Sequence, residues 1–177
     1  RGRIKIADAM KSPDPGSGAG GDGLLNAGAF RIHYKIEQKN DFGGDMFCAL
    51  EANERTIGLF LGDMAGHDLS AAIVAAPVLD YLASRKGNMA SLGAFMRDLH
   101  ADLFRELDGV HRFMTCFVAA LHTDNGEMTW VNCGHPDGLL FRADGGRERL
   151  SSSAPPVGIE RSPAFDCQKT QLRPGDS

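Results

Sequence analysis

The sequence lacks any apolar run near the ~20 residues that a bilayer-spanning helix needs, so no membrane insertion is expected in this segment. It also lacks an apolar stretch after its opening Arg-Gly-Arg, so no secretory signal peptide is expected. Excess positive charge is missing. The 19 Lys and Arg are outnumbered by 23 Asp and Glu, a formal net charge of −4, so neither nucleic acid nor an anionic membrane is favoured as a partner. A cation suits such a surface better. Cysteine is scarce and forms no CxxC: Cys48, Cys116, Cys133 and Cys167 each sit in or beside an apolar or strand-like run. Thiols scattered in this way read as buried and reduced, which points to a cytoplasmic home and away from a disulfide framework or a zinc site. Internal repeats are absent. So is an initiator Met, and the chain is expected to be part of something longer, with a sensory or receiver domain ahead of it.

What is present fits one globular domain plus a tail: 177 residues, 42% hydrophobic and 24% charged. Lys11 to Gly23, "KSPDPGSGAGGDG", has the composition of a flexible linker, so residues 1–23 are assigned to a leading segment and 24–177 to the domain. From Phe30 to Glu37 apolar and polar residues alternate, as in a half-buried strand, with His33 on the polar face. Two further strands, Met46 to Leu50 and Thr56 to Gly62, flank a polar "EANER" loop. An alanine-rich helix follows from Leu69 to Ser84, with Asp68 or Ser70 as N-cap and Pro77 expected to kink or split it. A second helix is expected over Asn88 to Leu107, burying Leu92, Phe95, Met96, Leu99 and Leu103 and exposing Arg97, Asp98, Asp102 and Arg105. The rest reads as strands: "FMTCFVAALH" and "EMTWVNCG" about a Thr123–Gly126 turn, a hairpin with Asp144-Gly145 at its tip, and a last strand leading to Pro-Gly-Asp. Strands, two helices, then strands imply an α+β fold of mostly antiparallel sheets.

Two Gly-Asp pairs bracket the "EANER" hairpin. Glu54 lies midway between Asp45 and Asp63, so the two acids should face each other at the open end, with Cα atoms about 4.5–5.5 Å apart. Two carboxylates that close repel unless one takes a proton or a cation lies between them, and an oxygen-preferring ion such as Mg²⁺ or Mn²⁺ resolves the conflict. Gly43, Gly44 and Gly62 leave room beside them, and the turn Met64-Ala65-Gly66 can offer a backbone carbonyl. A helix opening just beyond would aim its positive end at a bound phosphate. The same Gly-Asp pairs also serve as plain strand-end turn formers. The symmetry about Glu54 favours the metal.

"FGGDMF", "LFLGDMAGHDLSAA", "FMTCFVAALHTDNGEMTWVNCGHPDGLLFR" and "LRPGD", taken in order over residues 30–176, resemble the motifs of the PPM (PP2C-like) protein phosphatases, in the bacterial branch typified by SpoIIE and RsbU. The resemblance implies an α/β–β/α sandwich and a two-metal Mn²⁺ or Mg²⁺ centre. It implies Asp45 and Asp63 as catalytic metal ligands and Met64 as a main-chain ligand. Metal-activated water would then hydrolyse phosphoserine or phosphothreonine on a regulatory protein such as an anti-sigma-factor antagonist. His67 falls in the loop after Asp63 and could assist as an acid, although loop packing is the favoured reading. Asn132 and His135 match an N-x-G-H-P segment read as turn-shaping. Asp68 departs from the usual glycine, and Cys48 from a frequent second acid. The Thr/Ser-Asp-Gly motif and the later aspartate of the family, both metal ligands, do not occur before Ser177, so the fold is expected to lack its last strands and the site about half its ligands. A catalytically inactive adaptor is the alternative, and a homodimer is left open. "GGDMF" also differs by one letter from the GGDEF signature of diguanylate cyclases, but Met46 replaces its Glu, and the following strand ends in "GDMAGH".

Overall fold

A computed structural model describes residues 21–36, 44–66, 69–109 and 111–177. The chain opens with a hairpin, β1 (Gly21–Ala27) and β2 (Phe30–Ile36), then forms β3 (Asp45–Asn53) and β4 (Thr56–Met64). Next come α1 (Leu69–Ser84), a 3₁₀ helix over Lys86–Ser91, and α2 (Leu92–Gly109). The remaining strands are β5 (Met114–His122), β6 (Glu127–Cys133), β7 (Gly138–Phe141), β8 (Arg147–Leu150) and β9 (Gln168–Gln171). Five of these make one antiparallel sheet in the order β3-β4-β5-β6-β9, and two separate hairpins, β1-β2 and β7-β8, hold the other described strands. The architecture is the expected α+β class, with antiparallel pairing in all three sheets.

The pleat sorts the five-stranded sheet into two faces. Met46, Cys48, Leu50, Phe60, Met64, Cys116, Val118 and Val131 join one core with Val78, Leu82, Phe95, Met96, Leu99 and Leu103 from the helices. The opposite face meets the hairpins: Phe47, Ala49 and Ile57 against Ala27, Leu25, Ile32 and Tyr34, and Ala119, Leu121, Met128 and Trp130 against Leu150. Tyr34 stacks on Phe47 with ring centroids 5.0 Å apart. Asp45 is in phase with Phe47, and Asp63 with its cross-strand partner, so both acids fall on the hairpin side of the sheet. The buried and solvated faces of α2 are those its 3.6-residue periodicity requires.

Several elements depart from the sequence expectations. The glycine-rich stretch gives Gly21, Asp22 and Gly23 to β1, because Leu25 and Ala27 have an apolar face to cover and Gly28, at φ 62°, closes the turn to β2. Helix α1 runs unbroken through Pro77 and already contains Ser70, which is therefore not its N-cap; Asp68 lies outside the described residues. The second helix does not begin at Asn88. The 3₁₀ helix intervenes and drops Met89, fully buried, onto Gly58 of β4, a position where any side chain would displace the Met89 sulfur. The last strand is short, Gln168–Gln171, and the residues before it run as irregular chain. No helix among the described residues is long and apolar enough to cross a membrane.

Candidate metal centre

The site begins at the open mouth of the β3–β4 hairpin. Asp45 pairs directly with Asp63, in the register that the count about Glu54 requires. The extra residue of the hairpin is taken up as a bulge between Glu51 and Asn53, near the tip, so it does not slip the pairing at the mouth. Beyond the acids, Met64 N–H donates to the Gly44 carbonyl at 3.1 Å. A Cβ at Gly44 would strike the Met64 carbonyl oxygen and lie 2.9 Å from both the Met64 nitrogen and Cβ, so only glycine lets the strands close here. The Met64 carbonyl thus lies against β3, next in sequence to one acid and across from the neighbour of the other.

Both aspartate side chains reach solvent. Partial burial, then the Asp45 charge, raises the Asp63 pKa above its ordinary value, while His135 pulls the other way. All the donors here are hard oxygens, which fit Mg²⁺ or Mn²⁺. They form a partial set, since among the described residues no three His, Cys, Asp or Glu side chains gather as a metal cluster.

The motif reads Asn132 and His135 together as turn-shaping, and the structure divides that role. Asn132, fully buried, shapes the turn: its Oδ1 accepts from the His135 N–H at 2.8 Å, and its Nδ2 donates to the Leu150 carbonyl at 3.1 Å. The His135 ring goes to the site instead. Its Nδ1 bonds the Thr115 hydroxyl at 3.0 Å, and Thr115 pairs with Asp63 on the next strand. Burial lowers the His135 pKa, and the Asp63 and Asp45 charges partly restore it. A cleft of about 580 Å³ has Lys35, Asp45, Gly62 and His135 in its wall beside the apolar Ile32, Tyr34, Leu59 and Leu61. His135 was legible only as a motif letter; its approach to the acids depends on the β4–β5–β6 register, which no local pattern encodes.

Two other expectations can be placed. Asp176 belongs to the Pro-Gly-Asp turn: its carboxylate accepts from Ala143 N (3.0 Å), Arg142 Nη1 (2.7 Å) and Arg173 N (3.0 Å), and these bonds lower its pKa. Of the thiols, Cys48, Cys116 and Cys133 are buried and Cys167 is partly so; all are free, and burial pushes Cys48 up to about 12. His67 lies outside the described residues, as does Gly43.

Comparison with known proteins adds to this geometry. The profile of the family described as Stage II sporulation protein E (SpoIIE) matches residues 53–177. The chain belongs to the SpoIIE family of PP2C-like domains. As a SpoIIE-family domain it is similar to the phosphoserine phosphatase RsbP of Bacillus subtilis (strain 168), with 21% identity over 123 residues, 68% of this chain and 30% of RsbP. It is also similar to the RsbU and RsbW domains of Rv1364c from Mycobacterium tuberculosis, at 28% identity and a TM-score of 0.61, over 78% of this chain and 38% of that one. The same fold recurs in RsbX, solved in complex with magnesium, at 13% identity and a TM-score of 0.61, over 88% of this chain and 68% of RsbX. The chain thus spans about a third of the length of the first two proteins.

Proposed function

We propose that this SpoIIE-family domain, whose first strand begins at Gly21, is a protein serine/threonine phosphatase. Asp45, Asp63 and the Met64 carbonyl would hold a divalent cation, Mn²⁺ or Mg²⁺, as part of a two-metal centre. The observation that carries this reading is the direct cross-strand pairing of Asp45 with Asp63, two hard anionic donors whose repulsion a shared ion would relieve. When bound, such ions supply charge stabilisation for a phosphoryl group and acidify a water. The chain's own residues do the rest. The aspartates would hold the ion, and Gly44 keeps the Met64 main chain close beside them. His135, held through Nδ1 by Thr115, presents its ring to the same cleft as Asp45.

The substrate class is a phosphoserine or phosphothreonine protein of a signalling pathway, such as an anti-sigma-factor antagonist. Membership of the family and the similarity to RsbP, itself a phosphoserine phosphatase, support this reading. A preceding sensory or receiver domain and a cytoplasmic setting, in keeping with four free thiols, complete the proposal. The test is Mn²⁺-dependent release of phosphate from a phosphoserine peptide, with Asp45→Asn as control. Turnover abolished in the variant is expected; Mn²⁺ binding by the wild type without turnover would overturn the enzymatic reading. That second outcome would favour an adaptor that recognises phosphoproteins.

A further inference from the structure

The β3–β4 ladder ends at Met64, while the β4–β5 pairing, which includes Met64 with Met114, runs on by one residue into the segment just before β5. Ala65 N–H donates to the Phe113 carbonyl at 2.9 Å, and the Ala65 carbonyl accepts from Arg112 Nη1 at 2.5 Å. Both main-chain polar groups of Ala65 are therefore gripped by two consecutive residues of the segment that joins α2 to β5. Gly66, at φ 121°, turns its open side to the same guanidinium, and a Cβ there would overlap Arg112 Nη1.

The root of Arg112 is itself fixed. Its N–H donates to the Leu107 carbonyl in the last turn of α2 at 2.9 Å, and His111, at φ 51°, closes the helix end with a bond to the Asp108 carbonyl at 3.1 Å. Two residues on, Met114 exchanges both main-chain bonds with Val157 at 2.9 Å. A guanidinium on an anchored stem can hold a carbonyl and cover a glycine face together; an ammonium supplies the bond without the plane.

We propose that Arg112 is a positioning residue of the metal centre. It fixes the path of Ala65–Gly66 directly after Met64, whose main chain the β3 and β5 strands hold from either side, and so steadies the Met64 carbonyl beside the Asp45–Asp63 pair. This rests on the reading of that pair as metal-binding, but one arm of its test does not. In the metal-free chain, Arg112→Ala should raise amide hydrogen exchange at Ala65 on the order of tenfold, the effect of losing one charge-assisted hydrogen bond, while exchange within β4 and β5 stays at the wild-type rate. Mn²⁺ affinity, read by the electron paramagnetic resonance of free Mn²⁺, should weaken by a similar factor, and Arg112→Lys should recover only part of each loss. Unchanged exchange at Ala65 overturns the proposal. So does exchange that rises equally across the whole sheet, which would make Arg112 a general stabiliser, and so does a loosened Ala65 with wild-type Mn²⁺ affinity. If the wild type binds no Mn²⁺, the reading of the site fails on its own, and exchange at Ala65 still decides whether Arg112 governs this loop.

Discussion

Asp63→Asn should make the metal-free protein more stable while removing its response to Mn²⁺. The structure sets the size of the effect. Two unit charges ~5 Å apart, the spacing of directly paired residues, repel by ~0.8 kcal/mol at the dielectric of water and by ~3 kcal/mol at an effective value of 20. Both side chains reach solvent, so the lower end applies, about 1 kcal/mol, or roughly 2–4 °C in melting temperature for a domain of this size. The sign follows from the titration. Asp63 has a folded pKa above its ordinary 3.8, so protonation favours the folded state; the penalty is absent below that value and complete once the pH exceeds the raised one. Asn mimics the protonated acid, so its advantage should appear at neutral pH, shrink on acidification through the carboxylate range, and fall in high salt. Thermal melts in EDTA and then in Mn²⁺ provide the assay. At Mn²⁺ about a hundredfold above its dissociation constant, the wild type should gain ~2.7 kcal/mol, and the variant far less. Destabilisation of the metal-free protein by Asn, or equal stabilisation of both proteins by Mn²⁺, would refute the reasoning.

Gly44→Ala should be destabilising by about 1–3 kcal/mol, because its Cβ meets the Met64 main chain rather than a side chain that can swing away; urea unfolding at the wild-type midpoint would contradict this. His100 gives a pH dependence of the opposite sign to that of Asp63. It is buried between the Phe104 and Phe165 rings, neither ring nitrogen has a well-aligned partner among the described residues, and burial lowers its pKa despite the nearby Arg161 and Glu160 main chain. Stability should therefore be full above the ordinary histidine value of 6.5 and fall as the pH drops below it. His100→Leu should flatten that slope in denaturant titrations near neutral and mildly acidic pH, and an unchanged slope would clear His100 of the effect.

The most local features of the fold were the most legible. Alternation gave β2, and helical spacing gave the buried face of α2. The symmetric count gave the Asp45–Asp63 register, because the hairpin's irregularity falls at the tip and leaves the mouth in phase. Where a residue's state is decided by a distant neighbour, sequence reasoning fell short. Strand β1 reads as linker because Gly21-Asp22-Gly23 has no β preference, and it becomes a strand only by covering Phe47 and Ala49. The turn ahead of α2 is 3₁₀ because Met89 must reach Gly58, a contact 31 residues away in the chain. His135 and Arg112 carried no signal of their own for the site. The first reaches it through the pairing of three strands, the second through the exit of α2 to the loop after Asp63.

The whole account depends on one local arrangement, two acids on adjacent strands turned to the same side and near enough to share an ion. Anomalous diffraction from crystals soaked in Mn²⁺ tests it most directly. The account predicts a peak within coordinating reach of both Asp45 and Asp63 that disappears in Asp63→Asn. Carboxylates turned apart, with no anomalous density between them at saturating Mn²⁺, would contradict it.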